Sequence, residues 1–169
     1  SETIEKLFDC LDNLLVLCPR RNGPWSVSHI HQIILGNKYD EGLTKWPEGT
    51  PVMCSQNQPE LGLSNGDIGI IIGEKDARRI LFRVFADNQK FLFHLLSPSR
   101  LKKIDPAFAL TIHKAQGSEA NKVLLLWPNA VDFSPTTLES IEENETLNEK
   151  LIYTAITRAK ENLELNTMI

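Results

Sequence analysis

No apolar run in the 169 residues approaches the roughly 20 that a membrane-spanning helix needs. Cysteine is scarce: Cys10, Cys18 and Cys54 are an odd number without CxxC spacing. That excludes a disulfide framework and a cysteine zinc site, and predicts reduced, buried thiols in a cytoplasmic protein. The first twenty residues lack a basic leading segment and a small-residue cleavage site, so they do not read as a secretory signal. There is no internal repeat and no low-complexity tract. GxxxxGK[ST], the loop that cradles nucleotide phosphates, is also missing; "GIIIGEK" at 69–75 has the wrong spacing. No Asp-Glu pair sits at a strand end where it could hold Mg²⁺, since Asp40-Glu41 falls in a predicted loop.

Charge is present but uneven. The net charge is −4, yet residues 67–105 hold eight Lys/Arg against five Asp/Glu. Acid is concentrated in "LESIEENETLNE", Leu138 to Glu149. Screening confines charge effects to about 10 Å at ordinary salt, so a local basic face on an acidic chain can still meet phosphates. Arg78, Arg79, Lys102 and Lys103 are candidates for such contacts; a merely solvated surface fits the composition equally well.

The apolar pattern changes character along the chain. Ile4, Leu7, Phe8 and Leu11 predict an amphipathic helix over 3–12. "LLVLC" at 14–18 predicts a buried parallel strand. Ser26 or Ser28 can cap a second helix that ends at Gly36. A polar loop is expected over 37–50, then a strand at "PVMCSQ". "IGIIIG", "RILFRVF" and "KFLFHLL" are closely spaced strand-like runs, which suggests a small antiparallel barrel. Phe82, Phe85, Phe91 and Phe93 read mostly as its core. After Pro106 come a strand "FALTIH", a polar connection at 113–119 and a strand "VLLLW". An acidic linker, a helix near 148–159 and a short strand about Leu163 and Leu165 complete the prediction. The fold class is α/β interrupted by an all-β insertion: residues 1–66 and 106–169 form one domain and 67–105 the insertion. The connection leaves the carboxyl end of a strand, where ligands bind in open α/β sheets.

Two stretches concentrate polar chemistry, "TIHKAQGSE" at 111–119 and "YTAITRAK" at 153–160. Taken alone, Arg158 reads best as a helix-terminal arginine that favours the dipole. A fork of donors suited to phosphate oxygens is the functional alternative. His113 alone reads as a core histidine, Glu119 as a surface carboxylate and Lys114 as solvated.

Together the two stretches resemble motifs V and VI of superfamily-one helicases, most closely those of the RecD family, the 5′→3′ helicase subunit of exodeoxyribonuclease V and its free-standing relatives. "CPRRNGPWSVSHIH" is similar to the family's R-x-G-P-x-G-x-x-x-L-N segment at Arg21, Gly23 and Pro24, with Ser26 and His31 departing from it. "LGLSNGDIG" resembles its N-G-D-x-G entry to an SH3-like barrel. The resemblance implies a second RecA-like, P-loop-NTPase-like domain carrying an SH3-like β-barrel. It implies ATP as substrate with Mg²⁺, both held mainly by a first RecA-like domain outside this chain. It further implies Arg158 and Arg21 as catalytic cations, and Gln116, Gly117, Glu119 and Arg158 at the nucleotide. Thr111, His113, Lys114 and Asn65 would lie at single-stranded DNA. Other exodeoxyribonuclease V subunits are implied partners, and no membrane. A stand-alone nucleic-acid-binding module, or a protein-interaction barrel on an inert scaffold, is the competing expectation, and neither needs Arg158, Glu119 or Gln116.

Overall fold

Leu14–Cys18 forms β1, whose burial deepens towards its carboxyl end, where Leu17 and Cys18 are fully buried. In the computed structural model, which describes residues 2–85, 90–128 and 148–167, this strand lies inside a parallel sheet. The chain divides into two units, Ser1–Ile30 with Ala109–Ile169, and His31–Phe108.

The first unit is the α/β one. Helix α1 (Glu2–Asn13) runs directly into β1, and α2 (Val27–Leu35) follows a loop. Strands β7 (Leu110–Thr111), β8 (Ala120–Trp127) and β9 (Ala159–Thr167) complete a four-stranded sheet of order β7-β1-β8-β9. All three pairings are parallel, with Leu14 beside Lys122 and Cys18 beside Thr111. Residues 148–156 form α4. Cys18, Ala109 and Leu126 make a small core against Trp25, Val27 and Ile30. Of the apolar stripe expected on α1, only Phe8 is fully buried.

The second unit is an antiparallel sheet of order β5-β4-β3-β2-β6, built from β2 (Pro51–Cys54), β3 (Ile68–Ile72), β4 (Arg79–Phe85), β5 (Phe91–Leu96) and β6 (Ile104–Pro106). A short helix α3 (Lys38–Glu41) precedes them. Trp46, Val52, Cys54, Ile71, Ile80 and Phe82 are central to its core. Gly69 lies opposite Phe82 because nothing larger fits: a Cβ there would stand 2.9 Å from the Phe82 ring and 3.1 Å from the Leu81 carbonyl. Gln58, fully buried, holds the chain entering β6: its Oε1 accepts from Lys102 N–H at 2.9 Å and its Nε2 donates to the Lys102 carbonyl.

The second unit is wider than the 67–105 span expected for the insertion. The cause is β2, all four residues of which are buried because it pairs with β3 on one side and β6 on the other. The predicted polar loop at 37–50 holds α3 and the buried Trp46, whose Nε1 donates to the Tyr39 carbonyl at 3.3 Å. The strand expected at "FALTIH" is only Leu110–Thr111, and the short final strand is nine residues long. Most of the acidic linker lies outside the described residues. Among those residues no helix is long and apolar enough to cross a membrane. Cys10 is exposed, unlike the buried thiol expected; Cys18 and Cys54 are buried.

Candidate functional site

The polar connection begins as one helical turn. Thr111 Oγ1 accepts from Lys114 N–H at 3.2 Å and its carbonyl accepts from Ala115 N–H at 3.0 Å, an N-cap arrangement. Gly117, at φ 86°, ends the turn in the left-handed region that glycine enters without cost. Ile112 and Ala115 face inward and are fully buried, which leaves His113 and Gln116 exposed and Lys114 half-buried. The connection leaves the carboxyl end of β7, as expected, but does not stay at that edge. Thr111 is level with the carboxyl end of β1, but the connection then descends to Glu119 at the amino end of β8.

At that amino end the two polar stretches meet. Ala120 N–H donates to the Arg158 carbonyl at 3.0 Å, just where β8 and β9 begin. Glu119 and Lys160 flank this bond and pair at 3.7 Å, both about half exposed. Arg158 lies in the turn after α4; its Nη2 donates to Thr157 Oγ1 at 3.2 Å. Its Nε is buried and has no hydrogen-bond partner among the described residues. Leu151 and Ala155 are buried and anchor α4, whereas Ile156 is exposed. Thr154 and Thr157 hydroxyls donate to the Lys150 and Thr154 carbonyls, both at 2.8 Å, and so belong to the helix end itself.

Arg21 stands elsewhere. Its loop follows the carboxyl end of β1, so it leaves the same sheet edge as Thr111 and His113. The rise of β1 alone, roughly 13 Å, separates that edge from the one bearing Arg158. The loop is tightly fixed. Ser26, completely buried, caps α2 by accepting from His29 N–H at 3.2 Å, and His29 Nδ1 accepts in turn from Trp25 N–H at 3.1 Å. Ser28 Oγ donates to Asn22 Oδ1 at 2.9 Å. Ser26 is therefore the cap of α2 at the position where the family pattern has glycine.

Asn65 belongs to the second unit. It lies exposed in the turn before β3 and its N–H donates to Asn57 Oδ1 at 2.7 Å. Asp67 closes that turn by accepting from Ser64 N–H at 2.7 Å. Burial raises its carboxyl pKa above the ordinary value, opposed by the Ser64 hydrogen bond and the charge of His94. His31, where the pattern has asparagine, is a buried ring between Tyr39 and Phe108, with centroids 6.4 and 6.3 Å away.

The candidate residues thus fall into separate sets: Glu119 and Arg158 at the amino edge; Thr111, His113, Lys114, Gln116 and Gly117 in one turn, with Arg21 leaving the same sheet edge as Thr111; and Asn65. Lys160 was missed by sequence reasoning, although "TRAK" displays it beside Arg158. Among the described residues no three His, Cys, Asp or Glu cluster as metal ligands.

Residues 106–165, which contain both polar stretches, match the family described as UvrD-like helicase C-terminal domain. The chain is 34% identical over 154 residues to the RecBCD enzyme subunit RecD of Mycolicibacterium smegmatis, covering 89% of this chain and 24% of that one. With the RecD subunit of Buchnera aphidicola from Schizaphis graminum it shares 26% identity, over 98% of this chain and 26% of the relative. The chain therefore spans about a quarter of the length of these curated relatives. Its fold is like that of Pif1 helicase in a structure of two Pif1 helicases at forked duplex DNA, with a TM-score of 0.52 at 18% identity, covering all of this chain and 43% of that one. The chain is similar to the RecD subunits over nearly its whole length, and its residues 106–165 match the UvrD-like helicase C-terminal domain.

Proposed function

We propose that the chain is the second RecA-like motor domain of an ATP-dependent 5′→3′ DNA helicase of the exodeoxyribonuclease V alpha-subunit type. The observation that carries the reading is the Ala120–Arg158 backbone bond, which joins the two polar stretches at one edge of the sheet. An arginine whose Nε has no partner among the described residues, its carbonyl bonded to the residue that follows an exposed carboxylate, suits a nucleotide: cation to the γ-phosphate, carboxylate to the ribose hydroxyls. Gln116 and Gly117 line the approach. The phosphate-binding loop and the acids that hold Mg²⁺ come from a first RecA-like domain of the full-length protein, which is the main partner; further exodeoxyribonuclease V subunits are others. Thr111, His113 and Lys114, at the opposite sheet edge, meet single-stranded DNA, and Asn65 meets it from the second unit. The SH3-like barrel of this reading is the β-insertion of residues 67–105 in that unit. Arg21 leaves the edge that bears Thr111, which favours a strand phosphate over the γ-phosphate as its contact and leaves Arg158 as the catalytic arginine.

The test is Arg158→Ala in the full-length protein. A cation that acts on charge developing in the transition state matters more for hydrolysis than for binding. Trans-acting arginines of this kind contribute on the order of 10³–10⁵ in rate. ATP hydrolysis is expected to fall by that order while single-stranded DNA binding is retained, and Arg158→Lys is expected to rescue little. A folded Ala variant that hydrolyses ATP within a few-fold of the parent would reduce Arg158 to a helix-terminal charge.

A further inference from the structure

Of the four phenylalanines of the β4–β5 hairpin, only Phe82 enters the core; Phe85, Phe91 and Phe93 are 63%, 52% and 38% exposed. The register puts Phe85 opposite Phe91, Arg83 opposite Phe93 and Leu81 opposite Leu95. Directly opposed residues of an antiparallel pair project to the same side, so three aromatic rings and Arg83 share one face. Phe85 and Phe91 meet edge to face at 5.4 Å, and the Arg83 guanidinium stands 4.8 Å from the Phe91 ring centre.

From this face we infer that the β4–β5 ribbon is a stacking platform for the bases of single-stranded nucleic acid. Exposed apolar patches of this kind mark binding surfaces, and the charge chooses the occupant. An apolar protein partner would have to bury the Arg83 cation, whereas a strand offers flat bases to the rings and phosphates to the arginine. The surrounding segment 67–105, with eight basic and five acidic residues, has the complementary sign. Base-paired DNA is a poor fit because its base faces are already stacked. The platform deepens the helicase reading and rests on it for the source of the strand; none of the residues already placed at DNA lies on it.

The experiment measures binding of oligodeoxythymidylate to the full-length protein across a salt series. Phe85→Ala and Phe91→Ala are each expected to weaken binding on the order of 10- to 100-fold. The salt slope should stay unchanged, because a ring releases no counterions. Arg83→Gln is expected to lower the slope by about one. Phe91→Trp keeps a ring, and is expected to retain affinity and to show quenching of its added fluorescence when the strand binds. Parent-like affinity in both Ala variants overturns the platform and leaves the helicase reading intact, as does an unquenched tryptophan. If the parent protein binds no oligodeoxythymidylate at all, the helicase reading falls as well. Self-association lost in Phe91→Ala, with DNA affinity unchanged, overturns the platform in favour of an interface between copies.

Discussion

Arg78 and Arg158 share a side chain but not a task. Arg78 Nη1 donates to the carbonyls of Leu43, Thr44 and Trp46 at 3.4, 2.6 and 2.7 Å, so it fastens the segment between α3 and β2. Backbone carbonyls thus already engage Nη1 of Arg78, one of the candidates for phosphate contact, while its Nε is buried without a hydrogen-bond partner among the described residues. Arg79 Nη1 likewise donates to the Asp76 and Arg78 carbonyls. Arg78→Met should lower stability by about 1–3 kcal/mol in thermal unfolding while leaving the salt slope of DNA binding as it was. A flattened slope without loss of stability would restore the phosphate role. Burial pushes the Cys18 thiol up to about 12, so its reactive thiolate is scarce at neutral pH. In the folded protein at pH 8, a thiol-alkylating reagent should modify exposed Cys10 and spare buried Cys18 and Cys54, as mass spectrometry would record.

At the scale of elements, legibility followed periodicity. Val27–Leu35 ends at the glycine expected to stop it, and Leu14–Cys18 is the strand that its unbroken apolar run predicts. The partners of each strand were less legible. "PVMC" is apolar on both faces in either sheet, so composition could not tell a parallel strand from the centre of an antiparallel one. Exposure of the phenylalanines was also hidden, since Phe82 and Phe85 are one residue out of phase and only pairing reveals which face is core. Both polar stretches could be read from their residue types, but that they meet at the amino edge of the sheet, while the Thr111 end of the first lies at the other edge, depends on register. Ser26→Ala should cost about 1 kcal/mol of stability; Ser26→Gly, the family-pattern residue, should cost only a few tenths, and equal losses would deny the cap. The turn before β3 carries a pH signature. The folded-state pKa of Asp67 is raised, so below 3.8 it is protonated in both states and without effect. As pH rises above that value the folded state resists ionisation, and stability falls until the raised pKa is passed. The parent should therefore lose stability relative to Asp67→Asn between pH 3 and 7. A difference that stays flat across that range would show no burial effect.

On the proposed function the chain brings Arg158 and Glu119 to the nucleotide, and its sequence holds no GxxxxGK[ST] loop. The isolated 169-residue chain should accordingly show no ATPase above background, with or without DNA. DNA-stimulated turnover by the pure chain would remove the need for a first domain. The two sheets also end differently. The edge strand β9 carries Lys160, Glu161 and Glu164, charges that discourage another strand from adding to it. The edge strand β5, FLFHLL, has no acid and no lysine or arginine, and its Phe91, Leu92, Phe93 and Leu95 are exposed. Such a segment is a nucleus for cross-β stacking. Precipitation of the isolated chain on storage should begin at residues 91–96, and a single lysine at Leu92 should keep it in solution longer than any charge added to β9.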